Sequence, residues 1–226
     1  MKTEQERLDF LNKELGTNYK TLKKVEWREI SERTDLSEDF IREFKDMLSW
    51  WYISRNYKLS ESFIRELQER LDFLNKELGT NIEILNNVDW EYIAKYYKLS
   101  VDVIREFQDK FNWSYISKYQ NLSEDIIREF ADKVEWKLIS KYQTLSENFI
   151  REFKGYVDWE YISKRQTLSE NFIREFQDKV YWRYISETQK LSEEFIREFA
   201  DKVNWCNISR YQKLTENFIN EFKDKI

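Results

Sequence analysis

Tryptophan recurs in this chain with a fixed period of 23 residues. Trp90, Trp113, Trp136, Trp159, Trp182 and Trp205 follow it, and Trp27 and Trp50 share the spacing. A period between 20 and 50 residues is the mark of one supersecondary unit repeated along the chain. Adding 23 to Trp50 gives Phe73, and only 17 residues separate Phe73 from Trp90, as they separate Phe10 from Trp27. The segment QERLDFLNKELGTN at residues 5–18 recurs unchanged at 68–81. A block of two full units and one short unit has therefore been duplicated and followed by a regular run. No linker or composition shift interrupts it, so residues 1–226 read as one domain. Its parts are a degenerate N-terminal unit (1–26), regular units (27–73), an irregular shortened unit (74–89) and a second regular run (90–226).

Within one unit, residues 158–180, the sequence predicts two helices. Trp159 and Ile162 lie three apart on one face of the first, which Asp158 can cap. Gln166-Thr167-Leu168 forms a short turn. Ser169 is an N-cap, Glu170 suits the positive end of the helix dipole, and Phe172, Ile173, Phe176 and Val180 follow at helical spacing. The expectation is a helix of about two turns followed by one of about three. Helices this short are marginal alone, so they must be stabilised by stacking on neighbours. The expected fold class is an all-α solenoid of stacked short helical hairpins. With no Pro and 3 Gly, the chain lacks the turn residues a β-rich fold requires.

The apolar positions barely change between units. Ile stands three residues after each of the eight repeat Trp residues, and the next residue is always small, Ser or Ala, which fits a close crossing of the two helices. The expected core includes Trp27, Trp50, Trp90, Trp113, Trp136, Trp159, Trp182 and Trp205, each largely buried. The Arg of each IREF segment has Glu four residues earlier in six of seven cases and Glu immediately after, which permits an ion-pair ladder between adjacent repeats. In the short units a longer helix is expected to end at a glycine in the left-handed conformation, Gly79 in the middle copy, with a short extra helix over 81–88. Residues 3–25 should repeat this arrangement as a cap.

The units WEYISKRQTLSENFIREFQDKV and WKLISKYQTLSENFIREFKGYV resemble repeats found in proteins of giant DNA viruses of amoebae, which contain arrays of LSEDFIREF–W–IS units. The resemblance covers residues 27–226 apart from 74–89. It implies an intracellular or virion repeat protein and names no activity.

Chemistry is constrained mainly by what the sequence omits. It contains no His, which removes the commonest general base and transition-metal ligand, and it has no glycine-rich phosphate loop. The single Cys206 has no partner for an intrachain disulfide, which suits a reducing, cytoplasmic setting. The start of the chain lacks the apolar core of a secretory signal, and the densest apolar stretch, Met47 to Ile53, is too short to span a bilayer. No catalytic, cofactor or metal site is expected. Ile162-Ser163, Leu168-Ser169 and Ile173 fall at the offsets of a DNA-binding helix–turn–helix, but the second helix exposes Glu170, Asn171, Arg174, Glu175 and Asp178, a net acidic face that phosphates repel.

The surface that changes most between units is that of the first helices. There Tyr92, Lys95, Tyr96, Tyr115, Lys118, Tyr119, Lys141 and Tyr142 form a candidate partner-binding strip. Three functions remain open on sequence alone: a protein- or peptide-binding scaffold, a single-stranded nucleic-acid binder acting through this strip, and a self-assembling virion component. The net charge of −5 disfavours nucleic acid. If the Tyr rings were as buried as the Trp rings, the strip would be core.

Overall fold

The computed structural model describes residues 2–57, 59–66 and 88–225. These are helical and contain no strand. They group into two compact units, residues 1–112 and 113–226. Each unit is an all-α solenoid built from the 23-residue hairpin. Phe73, Gly79 and the short helix expected over 81–88 lie outside the described residues.

In every regular repeat the first helix begins at the tryptophan, as in Trp136–Tyr142 and Trp159–Arg165. We call these the Trp helices. Asp158 caps Trp159–Arg165 by accepting from the amides of Glu160 and Tyr161. The second helix, the Glu helix, is Glu147–Glu152, Glu170–Glu175 or their counterparts, and Ser169 accepts from the Phe172 amide at its start. Trp helices of successive repeats lie side by side within each unit.

The Glu helix is shorter than its sequence suggests. It ends at Glu175, because Phe176 leaves helical geometry at φ −114°, ψ 30°. Residues 176–179 then form a turn, with the amides of Lys179 and Val180 both donating to the Phe176 carbonyl at 2.9 and 3.0 Å. The turn returns Val180 to the core and frees the Gln177 carbonyl, which accepts from the Trp182 indole at 3.0 Å. The same bond, Trp Nε1 to the carbonyl five residues back, recurs at Trp27, Trp50, Trp136, Trp159 and Trp205. A tertiary hydrogen bond thus replaces the last helical turn.

The tryptophans are buried to two degrees. Trp50 and Trp90 are buried, but Trp27, Trp113, Trp136, Trp159, Trp182 and Trp205 are half-buried. Each of the six lies against phenylalanine on one side, as Trp159 does with Phe176 at 4.9 Å between ring centres. The centre of the core belongs to Phe149, Phe172, Phe195 and Phe218 and to the isoleucines of both helices.

At the N-terminus, Glu4–Leu15 is a full helix with a capping box between Thr3 and Glu6. It ends at Gly16 with φ 62°, the left-handed residue that the sequence anticipates at this position of a short unit. The segment leading to Trp27 holds only a 3₁₀ turn, Leu22–Lys24, where a short extra helix was expected. Leu8 and Leu11 are buried, and Phe10 lies 6.1 and 6.2 Å from Phe40 and Phe44.

Candidate functional site

Two kinds of surface must be separated before a site can be named: one joins repeat to repeat, and the other is left to solvent. The joining surface holds five glutamines, each seven residues after a Trp, of which Gln120, Gln143, Gln166 and Gln189 are buried. Gln166 reaches back across one repeat. Its Nε2 donates to the Gln143 carbonyl at 2.8 Å and to the Ser140 carbonyl at 3.3 Å, and its Oε1 accepts from the Leu145 amide at 2.9 Å. Gln143, Gln189 and Gln212 make the same three contacts with their own predecessors. The carbonyls they capture lie at the end of the preceding Trp helix, where no partner within the helix exists.

In residues 1–112 tyrosine occupies this place. The Tyr57 hydroxyl donates to the Arg33 carbonyl and accepts from the Leu36 amide, and the single Tyr97 O–H lies between the Ser54 and Tyr57 carbonyls, either of which can accept it. Burial pushes the Tyr97 phenol up to about 12, so it stays a donor.

The small residue after each isoleucine has a role beyond size. Ser163 Oγ donates to the Trp159 carbonyl at 2.7 Å and accepts from the Tyr181 amide of the next repeat at 2.9 Å. Ser31, Ser140 and Ser186 do the same. The Arg ladder also forms. Arg128, Arg151, Arg174 and Arg197 each pair with a glutamate 24 residues on at 2.7–2.9 Å, closer than the 3.6–3.7 Å to the glutamate four residues earlier. Each of these arginines also lies over the next repeat's phenylalanine at 4.8–5.0 Å. The glutamates at the start of the Glu helices accept from the amide that opens the next one, as Glu147 does from Ser169. These carboxylates are thus engaged in structure.

The Trp helices present the other surface. In residues 1–112, Tyr96 is 60% exposed and Tyr92 half-buried, with 4.5 Å between their rings and the Lys95 ammonium 4.7 Å from the Tyr96 ring. Trp51, 46% exposed, joins them through Arg55, which lies 4.5 Å from its ring and 5.3 Å from Tyr92. Trp51 falls outside the repeat pattern, and its only sequence signal is a second tryptophan directly after Trp50.

In residues 113–226, Tyr119 and Tyr142 are 38% and 44% exposed, and Tyr115, Lys118 and Lys141 are half-buried. The Tyr115 and Tyr119 rings are 5.8 Å apart. The Lys118 ammonium lies 4.7 Å from the Tyr119 ring and 5.6 Å from that of Tyr142 in the next repeat. Lys141 lies 5.1 Å from Tyr142 and 4.9 Å from Tyr161, and Lys164 lies 4.9 Å from Tyr184. The hydrogen bond to the Tyr119 hydroxyl raises Lys118 above its ordinary value, and those to Tyr142 and Tyr161 raise Lys141. The four tyrosines six residues after a repeat Trp, Tyr96, Tyr119, Tyr142 and Tyr211, are exposed beyond the repeat tryptophans and belong to the surface, whereas Tyr92 and Tyr115 are half-buried like most of those tryptophans.

The eight strip residues therefore occupy one kind of face, three in the first unit and five in the second. The arrangement can offer aromatic edges and oriented ammonium groups to a ligand. No metal-binding group of three or more acidic or Cys side chains occurs among the described residues, and no described helix is long and apolar enough to cross a membrane. No family model, no curated protein and no solved structure matches this chain.

Proposed function

We propose that this chain is a non-enzymatic helical-repeat module whose Trp helices dock a protein or peptide partner. The observation that carries the reading is the exposed Tyr/Lys strip, whose residues change type from repeat to repeat. Positions 138, 165 and 188 replace its tyrosines with Leu, Arg and Thr, while within residues 113–226 the glutamines and serines that join the repeats stay constant. Tyrosine gives rigid contact area with a polar tip, which suits interfaces. The carboxylates that an enzyme of this composition would need are largely engaged between repeats.

The test is capture of a partner from the source cell by the wild-type chain and by a Tyr119→Ser/Tyr142→Ser variant. Both proteins should show the same thermal stability, and the variant should lose the partner. Equal capture by the two would remove the strip as the docking face.

A further inference from the structure

The strip in residues 113–226 has a charge that the net balance of the chain conceals. The helices Trp113–Tyr119, Trp136–Tyr142 and Trp159–Arg165 carry Lys118, Lys137, Lys141, Lys164 and Arg165 against the single acid Glu160. That acid already accepts from the Tyr184 hydroxyl at 3.1 Å. None of Lys118, Lys141 and Lys164 forms an ion pair among the described residues. Each instead rests on tyrosine rings, which fix the ammonium groups in a row, one per repeat.

This arrangement selects between anionic ligands. Nucleobases bind such proteins by stacking on open ring faces. Tyr142 already has two ammonium groups over it, from Lys118 and Lys141, so a base would have to displace a cation–π contact. A carboxylate would not, because each ammonium has three N–H donors and a ring contact leaves some of them for an acceptor. Spacing narrows the ligand further. Adjacent packed helices lie about 8–10 Å apart, and an extended polyproline II chain advances about 3.1 Å per residue and returns every third side chain to the same face. One rung of the row therefore matches about three residues of an extended peptide.

We infer that the Lys118–Lys141–Lys164 row binds an extended acidic peptide with carboxylates three residues apart. The inference rests on the docking-face reading and specifies its ligand.

The test is fluorescence anisotropy with four labelled probes on the full chain. They are a peptide with glutamate at every third position, one of equal composition with its glutamates adjacent, one with glutamine at every third position, and an oligothymidine. The spaced-glutamate peptide should bind tightest and weaken with salt. K118Q/K141Q/K164Q should bind it about tenfold more weakly while keeping the helical spectrum and thermal transition of the wild type. Tighter binding of oligothymidine, equal binding of the clustered or neutral peptide, no binding of any probe, or an unaffected triple variant would each overturn the inference. The docking-face reading itself is decided by the capture experiment, which depends on no assumed ligand.

Discussion

Replacing Gln166 by Leu tests the glutamine ladder at nearly constant volume. The change removes the bonds to the carbonyls of Gln143 and Ser140 and the bond from the Leu145 amide. Each such bond contributes about 1 kcal/mol net, and a buried polar group left unsatisfied costs about 1–3 kcal/mol. The 3.3 Å bond to Ser140 is the weakest and contributes least. Two good bonds and one poor one, with the Leu145 amide stranded against the core, give a loss of about 3 kcal/mol. The extra apolar surface of leucine returns at most about 1 kcal/mol of this. Urea unfolding followed by circular dichroism reads the difference, and hydrogen exchange should place it at residues 136–180, since repeats interact only with their neighbours. A loss under about 0.5 kcal/mol, or one spread evenly over the chain, would refute the assignment of the glutamine as the tie between repeats.

Related substitutions have distinct signatures. Gln166→Glu should be worse than Gln166→Leu at pH 7, because a carboxylate would face two carbonyls; burial raises its folded pKa, so the deficit should shrink as pH falls and the acid regains a donor, measured as Tm against pH. Ser163→Ala keeps the close crossing but loses both Oγ bonds, and should cost about 1–2 kcal/mol by urea titration. Trp159→Ala should cost about 3 kcal/mol, the low end for a large aromatic, because the ring is half-buried. Arg174→Ala, whose pair with Glu198 is partly exposed, should cost under about 1 kcal/mol, with the difference shrinking in high salt.

How much of this was legible in the sequence varies by residue. The period, the hairpin, the Ser169 and Asp158 caps and the left-handed Gly16 all follow from local rules that no distant contact overrides. The end of the Glu helix does not, since Phe176 is a sound helix residue and the turn depends on an indole from the next repeat. Size accounts for a small residue at Ser163, but not for the hydroxyl that ties two repeats. By local rules the glutamines are turn residues, yet five of them at one register position is a signal that an ordinary solvated turn would not produce. Position alone could not decide whether the Tyr strip was exposed, because tyrosine serves equally between repeats, as Tyr57 and Tyr97 do, and on the surface, as Tyr96 and Tyr142 do.

The central claim, that partners dock on the Trp helices and not on the Glu helices, is tested most directly by site-specific photocrosslinking in the source cell. Benzoylphenylalanine placed at Tyr142 and, separately, at the exposed Asn148 of the neighbouring Glu helix samples the two faces within one repeat stack. A crosslinked partner from position 142 and none from 148 is the expected result. Crosslinking from 148 alone would contradict the account.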